Sequence, residues 1–324
     1  IGLGALLFSV GALLQGTAHG WPNIYAGRVV SGAAIGLLSV NVPLYQGELA
    51  PSHLRGSMVS LYQLAITAGI MIAFWLNYAV ETAPSGWRIS VLFQLLPGCI
   101  LGIGTLWLPQ SPRWLVSMGR LDEAYEALAR VREPGDDVAR EISEIVDTFR
   151  REMATGEPTW REFASGAMLR RSAVGVLLQL LQQLCGMNAF LYYGPRIFEQ
   201  LGTDGFLFSA LAGVVNFVST FPAIVLIDRA GRTALLKSSA AGMCLSCLTL
   251  AIVGDTCIGA TGCAYVAAGA IFFFIFNFAY GWGPVVWVYC AELFPLKYRS
   301  KAAGLTTAAN WLGNTCIGYF PPLL

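Results

Sequence analysis

The sequence predicts an all-α membrane protein built as two pseudo-symmetric helical bundles, and three observations carry that reading. Apolar residues make up 56% of the chain and charged residues only 12%, against roughly a quarter charged in an average soluble domain. Charge-free stretches fill most of the length, the majority longer than the roughly 18 to 20 residues a helix needs to cross a bilayer core. The segment E-L-A-P-S-H-L-R from Glu48 to Arg55 recurs as E-L-F-P-L-K-Y-R from Glu292 to Arg299, each copy between two apolar runs. A duplicated bundle with matching hinges leaves that trace, and such duplications are typical of secondary transporters. A soluble α/β core would need amphipathic stripes or strand alternation between short turns instead.

Taken in order, the apolar runs cover residues 1–27, 29–47, 56–80, 89–111, 172–195, 205–227, 238–254, 256–291 and 302–324. The chain opens on Ile1 inside an apolar run with no basic region before it, so that run reads as a span and not as a signal peptide. The last run ends at Leu324 without a polar tail, and nine spans are expected, as part of a longer protein. The one long polar segment splits the spans four and five. The expected organisation is therefore an N-terminal bundle over 1–111, a linker over 112–171 and a C-terminal bundle over 172–324. Within the linker, Leu121, Ala124, Tyr125, Leu128 and Val131 repeat at helical spacing, as do Val138, Ile142, Ile145, Val146 and Phe149, with Pro134-Gly135 between them. Two short amphipathic helices follow. Of lying on the membrane, binding a partner or packing under the bundles, the last costs least, because it covers their apolar faces with protein already present.

Lysine and arginine set the orientation. The alternate loops 48–55, 112–171, 228–237 and 292–301 hold 17 of the 20 basic residues, which makes them cytoplasmic by the positive-inside rule. An integral multi-pass protein of the plasma membrane, with its long central loop in the cytoplasm and the lipid bilayer as its surroundings, is expected.

The eight cysteines fall mostly inside apolar runs and read as packing residues. Cys244 and Cys247 have C-x-x-C spacing, but no second thiol pair or histidine accompanies them, so no metal site is expected. Cys257 and Cys263 flank a short exterior loop in which a disulfide is an open alternative.

The chemistry concentrates in one span. Gln179, Gln182, Gln183 and Asn188 share it with Tyr192 and Tyr193, and amides in hydrocarbon demand partners. A side-chain amide both donates and accepts, so it can reciprocate a hydroxyl without the cost of burying an ion. That suits a neutral polyol. The three glutamines share a helix face, whereas Asn188 points elsewhere on a regular helix at about 100° per residue. If Gly186 unwinds the helix, Asn188 joins the glutamines around one cavity; otherwise it ties two helices together. Gln63, Asn77, Asn216, Asn277 and Asn310 extend the polar theme within other spans, with interhelical hydrogen bonding as the competing role. Trp287 and Trp311 lie inside spans, where an indole offers a flat face to a sugar ring and an N–H to a hydroxyl.

Asp228, Arg229, Arg232, Glu292 and Arg299 gather at cytoplasmic span ends, as a salt-bridged gate or as a solvated loop face. There is no Walker loop, no paired intramembrane carboxylates and no His or Cys cluster of ligand spacing. No enzyme activity, cofactor, metal or nucleic-acid partner is expected.

Several motifs then stand in a familiar order: G-R-V-V-S-G at Gly27, G-E-L-A-P-S-H-L-R-G at Gly47, P-Q-S-P-R-W at Pro109, Q-Q-L-C-G-M-N-A-F-L-Y-Y at Gln182, D-R-A-G-R-T at Asp228, and G-W-G-P-V-V-W at Gly281 with A-E-L-F-P at Ala291. On them the chain resembles the sugar porter family of the major facilitator superfamily over essentially its full length. The resemblance implies the major facilitator fold with nine of its twelve helices present, the third through the eleventh, and with 112–171 as the intracellular helical domain. It implies a sugar site of Gln63, Gln182, Gln183, Asn188, Asn216 and Trp287, with Asn310 and Trp311. It also implies a cytoplasmic charge network of Glu48, Arg55, Arg113, Asp228, Arg229, Arg232, Glu292 and Arg299. Two positions depart from the family: Gln110 replaces a customary glutamate of that network, and Ala279 stands where animal facilitators carry a glutamate.

The function expected is alternating-access transport of a neutral hexose or pentose, downhill or with a co-transported proton. Arg28 resembles the basic partner of the coupling carboxylate in proton-coupled members. A porter for inositol, quinate or another polyol and a non-transporting sugar sensor are the alternatives.

Overall fold

A computed structural model describes residues 1–51, 55–156, 159–256 and 261–319. In chain order its helices are α1 (Gly2–Gly16), α2 (Trp21–Leu49), α3 (Arg55–Val80), α4 (Gly86–Phe93), α5 (Leu95–Gly104), α6 (Pro112–Ser117), α7 (Leu121–Ala129), α8 (Val138–Thr155), α9 (Trp160–Phe163), α10 (Gly166–Leu184), α11 (Met187–Gln200), α12 (Gly205–Arg229), α13 (Arg232–Thr256), α14 (Thr261–Tyr280), α15 (Trp282–Leu293) and α16 (Arg299–Tyr319). A single 3₁₀ turn, Leu296–Tyr298, precedes α16, and no strand occurs among the described residues.

Among the described residues, seven helical stretches are long and apolar enough to cross a membrane, against the nine expected runs. The difference lies at the two ends. Helix α1 is apolar but only 15 residues long, and α16 carries Arg299, Lys301, three threonines and two asparagines that lower its hydropathy. Three of the seven stretches are helix pairs: α4 runs into α5, α10 into α11, and α14 into α15.

Contacts group the described chain into two units. The first comprises Ile1–Val59, Val91–Ser165 and Leu296–Tyr298. Its spans α1 and α2 are joined by Gln15, whose buried amide donates to Ser31 Oγ at 3.0 Å and to Gly11 O at 3.1 Å. The linker helices form a small core of their own. Leu115 and Val116 of α6 and Ala124 and Ala127 of α7 are buried, with Ile142, Ile145, Val146 and Phe149 of α8 packed on them. The apolar periodicity of the linker is thus consumed largely within the linker.

That core is fastened to the end of α2. Tyr45 donates its hydroxyl to Pro109 O at 2.6 Å. Ser111 Oγ donates to Glu48 Oε2 at 2.6 Å while capping α6 through Trp114 N. Arg132, its side chain 3% exposed, forks onto Glu141 and donates Nη1 to Leu49 O at 2.8 Å. A helix C-terminus leaves carbonyls without internal partners, and a buried guanidinium satisfies one of them here. The pair with Glu141 holds the Arg132 guanidinium above its ordinary range, so it remains charged.

The second unit comprises Ser60–Ser90, Gly166–Pro295 and Arg299–Leu324. Within it α3 approaches α12. A Cβ on Gly213 would lie 3.1 Å from Met71 Cα, and the hydroxyl oxygens of Thr67 and Thr220 lie 3.3 Å apart. An apolar cluster of Met187, Phe198, Ala212, Met243, Ala268, Ile271, Phe274 and Ile275 fills the space between α11, α12, α13 and α14.

Candidate functional site

Of the two alternatives at Gly186, the helix break is the one present. Helix α10 ends at Leu184, Gly186 takes φ +89° and ψ 4° as the N-cap of α11, and the chain resumes helical geometry at Met187. Positive φ is nearly free for glycine and costly for other residues. The break turns Asn188 back onto the glutamine face, where its Nδ2 donates to Gln183 Oε1.

Around that bond the amides form one network. Gln182 Nε2 donates to Trp282 O at 2.7 Å and to Gly283 O at 3.0 Å. Asn310 of α16 donates Nδ2 to Gln179 Oε1 at 2.7 Å and to Gln182 Oε1 at 2.8 Å, and accepts from Gln183 Nε2 at 3.0 Å. Gln179, Gln182, Gln183 and Asn310 are all buried. An amide offers two N–H donors. Those of Gln182 and Asn310 are therefore fully committed, whereas Asn188 and Gln183 each keep an N–H for another partner.

Gln182 thus clamps α10 to the first turn of α15, which starts after the backbone break at Gly281. Gln63 of α3 approaches the same spot, since a Cβ on Gly283 would lie 3.4 Å from its Nε2. Trp287 stands one helical turn further along α15, edge-on to Tyr62 with ring centres 6.4 Å apart. Gln63, Asn188 and Trp287 are half-buried and Trp311 is exposed. Of these, Asn188 and Gln63 border the buried amides.

The remaining members stand as follows. Asn216 is buried on α12, and its carbonyl accepts from Thr220 Oγ1. Tyr192 donates to Asn314 Oδ1 and Tyr193 to Gly318 O, each at 2.7 Å, tying α11 to α16 beyond the amides. For two other asparagines the bonding role is the one observed. Asn77 accepts from Ser90 Oγ, and Asn277 donates back to Phe273 O at 2.7 Å within α14.

The charged set appears in pieces. In the second unit Arg232 and Glu292 form a two-pronged pair, Nη2 to Oε1 at 2.7 Å and Nε to Oε2 at 3.1 Å. Arg229 is exposed in the last turn of α12, and Arg299 opens α16 half-buried. In the first unit Glu48 accepts from Ser111, Arg113 is half-buried on α6 and Arg28 is exposed on α2. The side chains of Arg55 and Asp228 lie outside the described residues, as does Cys257.

One cluster escaped the sequence reading. Glu162 of α9 accepts from the Tyr298 hydroxyl at 2.5 Å and approaches Lys297 Nζ at 3.4 Å, and Phe163 meets Tyr298 edge-on. The signal was available: Thr159 and Glu162 form a capping box, the S/T-x-x-E pattern. The Tyr298 hydrogen bond, then the Thr159 backbone N–H, lower the Glu162 carboxyl from its ordinary 4.5 to about 2. A carboxylate with a depressed pKa contributes stability above its unfolded pKa, and that contribution is lost as pH falls through the folded value. The stability difference between wild type and Tyr298→Phe should therefore be full at neutral pH and shrink between pH 4.5 and 2. Melting curves of both proteins in detergent over that window check it; a constant difference would contradict it.

The family model described as "Sugar (and other) transporter" matches residues 1–324. A probable glucose transporter of Neurospora crassa is 37% identical over 99% of this chain and 56% of its own length. The galactose-proton symporter of Escherichia coli K12 is 36% identical over 98% of this chain and 68% of its own. Among solved structures, the major facilitator superfamily proton:xylose symporter XylE bound to 6-bromo-6-deoxy-D-glucose superposes with a TM-score of 0.86 at 28% identity, over 99% of this chain and 72% of that one. XylE from E. coli in a partially occluded inward-open conformation gives 0.82 at 27% identity, over 99% and 73%. The chain spans little more than half the length of the first curated relatives, 56% and 62%. With an all-α major facilitator architecture and a family model matched from end to end, the chain belongs to the sugar (and other) transporter family.

Proposed function

We propose that the whole protein carries a neutral monosaccharide, a hexose or pentose, across the plasma membrane by alternating access. The observation that carries this reading is the amide network on the broken helix. Its buried members are held by one another, and Asn188, Gln183, Gln63, Trp287 and Trp311 are left to meet a hydroxyl-bearing cargo. A site made of uncharged donors and acceptors favours a neutral polyol over an ion, and it penalises analogues lacking a hydroxyl, because a buried amide then goes unpaired. The relatives named for glucose, galactose and xylose support the same cargo class. Asn216 and the outer tyrosines complete the cavity wall, and the loops rich in lysine and arginine, 112–171 among them, face the cytoplasm.

The charged residues at the span ends act as the inner gate. The Arg232–Glu292 pair joins α13 to α15 within the second unit and, as a half-exposed surface pair, contributes only about 0–1 kcal/mol. Uptake of labelled hexoses and pentoses by the full-length protein in transporter-null cells tests the proposal. Saturable uptake competed by monosaccharides is expected, and uptake competed only by inositol or quinate would replace the cargo. The relatives named as proton symporters raise the question of coupling, for which Arg28 is the candidate partner of a carboxylate. A symporter alkalinises a weakly buffered medium when sugar is added, and a facilitator leaves its pH unchanged.

A further inference from the structure

The linker core leaves one flank of α6 and α7 uncovered. On α6, Leu115 and Val116 face the core, while Trp114 and the C-cap residue Met118, four residues apart, are 44% and 59% exposed. On α7, Ala124, Ala127 and Leu128 are buried, and Leu121 and Tyr125, again four apart, are exposed beside the polar arc of Asp122, Glu123 and Glu126. Residues at i and i+4 share a helix face. Each helix therefore carries an apolar strip between its buried side and its charged side.

This flank continues a larger apolar surface. Leu106, Trp107 and Leu108, which follow the span formed by α4 and α5, are exposed, the first two at 81% and 72%. Only Pro109, Gln110 and Ser111 separate them from α6. Pro109 O is held by Tyr45 and Ser111 by Glu48, both at the end of α2. Helix α6 is thus fixed at the level where two spans end, and the headgroup layer beyond a hydrocarbon core is about 5–7 Å deep. Tryptophan and tyrosine prefer that layer, where the ring is shielded and the polar edge is wet.

We infer that the Trp114–Met118–Leu121–Tyr125 flank docks on the phospholipid bilayer itself, at the boundary of headgroups and acyl chains, as a continuation of the lipid-facing surface at Leu106 and Trp107. Charge does not select the lipid. The Arg120 guanidinium lies 5.9 Å from the Trp114 ring and is already paired with Glu123, and three acidic residues stand beside it on α7. Docking therefore rests on the apolar and aromatic strip and is independent of anionic headgroups. It stands apart from the sugar reading, requiring only that the chain spans a membrane.

The test places a photo-crosslinker, p-benzoylphenylalanine, at Met118 or at Tyr125 of the full-length protein in phosphatidylcholine nanodiscs, with and without phosphatidylglycerol. The control position is Glu144, exposed on α8. Irradiation followed by mass spectrometry should show phospholipid adducts at both test positions, roughly tenfold above the control and equal in the two lipid mixtures. Adducts equally frequent at Glu144, adducts to a second protein copy, or no lipid adduct at either test position would overturn the inference. Adducts that appear only with phosphatidylglycerol would overturn its headgroup independence.

Discussion

Replacing both Gln182 and Gln183 by alanine should lower monosaccharide uptake by roughly a hundredfold or more, given about 1–3 kcal/mol for each buried polar group left without a partner. The two single variants should fail differently. Gln182 commits both donors to the backbone of Trp282 and Gly283 and accepts from Asn310, so Gln182→Ala removes both bonds to α15 and loosens α10 from it. Its signature is a lowered melting temperature together with a reduced maximal rate. Gln183 bonds only other side-chain amides, Asn310 and Asn188, and retains an N–H to offer. Gln183→Ala should therefore raise KM for sugar several-fold with a smaller change in thermal stability. Uptake kinetics with surface-expression controls, beside melting curves of the purified variants, separate the two. Wild-type uptake by the double variant would remove the amide core from the transport site altogether.

The bundles and the polar span were legible because each rests on a local signal: apolar length for a span, helical spacing for the linker helices, four amides in hydrocarbon for the site. Gly186 was legible for the same reason, since Asn188 could rejoin the glutamines only if the helix broke there. What could not be read was which partner each amide takes. Asn310 and Gln182 are 128 residues apart in sequence, and nothing in their local context says that one holds the other. Arg132 is the clearest omission. In the sequence it is one more basic residue of a solvated linker, yet it is buried, paired with Glu141 and bonded to Leu49 O. The capping box at Thr159 was a local signal of the ordinary kind, and a search for S/T-x-x-E would have found α9.

Gly186 also permits the sharpest separation of backbone from side-chain effects. A Cβ built there meets nothing within 4 Å, so space does not limit substitution and the φ of +89° alone does. Asparagine enters that left-handed region more readily than other residues with a side chain, alanine costs about 1–2 kcal/mol there, and a β-branched residue is worse. Gly186→Asn should therefore retain much of the uptake, Gly186→Ala less, and Gly186→Val should fall by at least about tenfold. The loss should appear mainly in KM. A chain that relieves the strain by continuing the helix through residue 186 turns Asn188 roughly 140° away from Gln183 and breaks the bond between them, while the Gln182 clamp on α15, which lies before the break, survives. Melting temperature should follow the same order over a narrower range. Equal uptake by the asparagine and valine variants would mean that the left-handed turn does not position Asn188. An order set by side-chain size, with alanine above asparagine, would point to a contact at this turn in another conformation of the transport cycle.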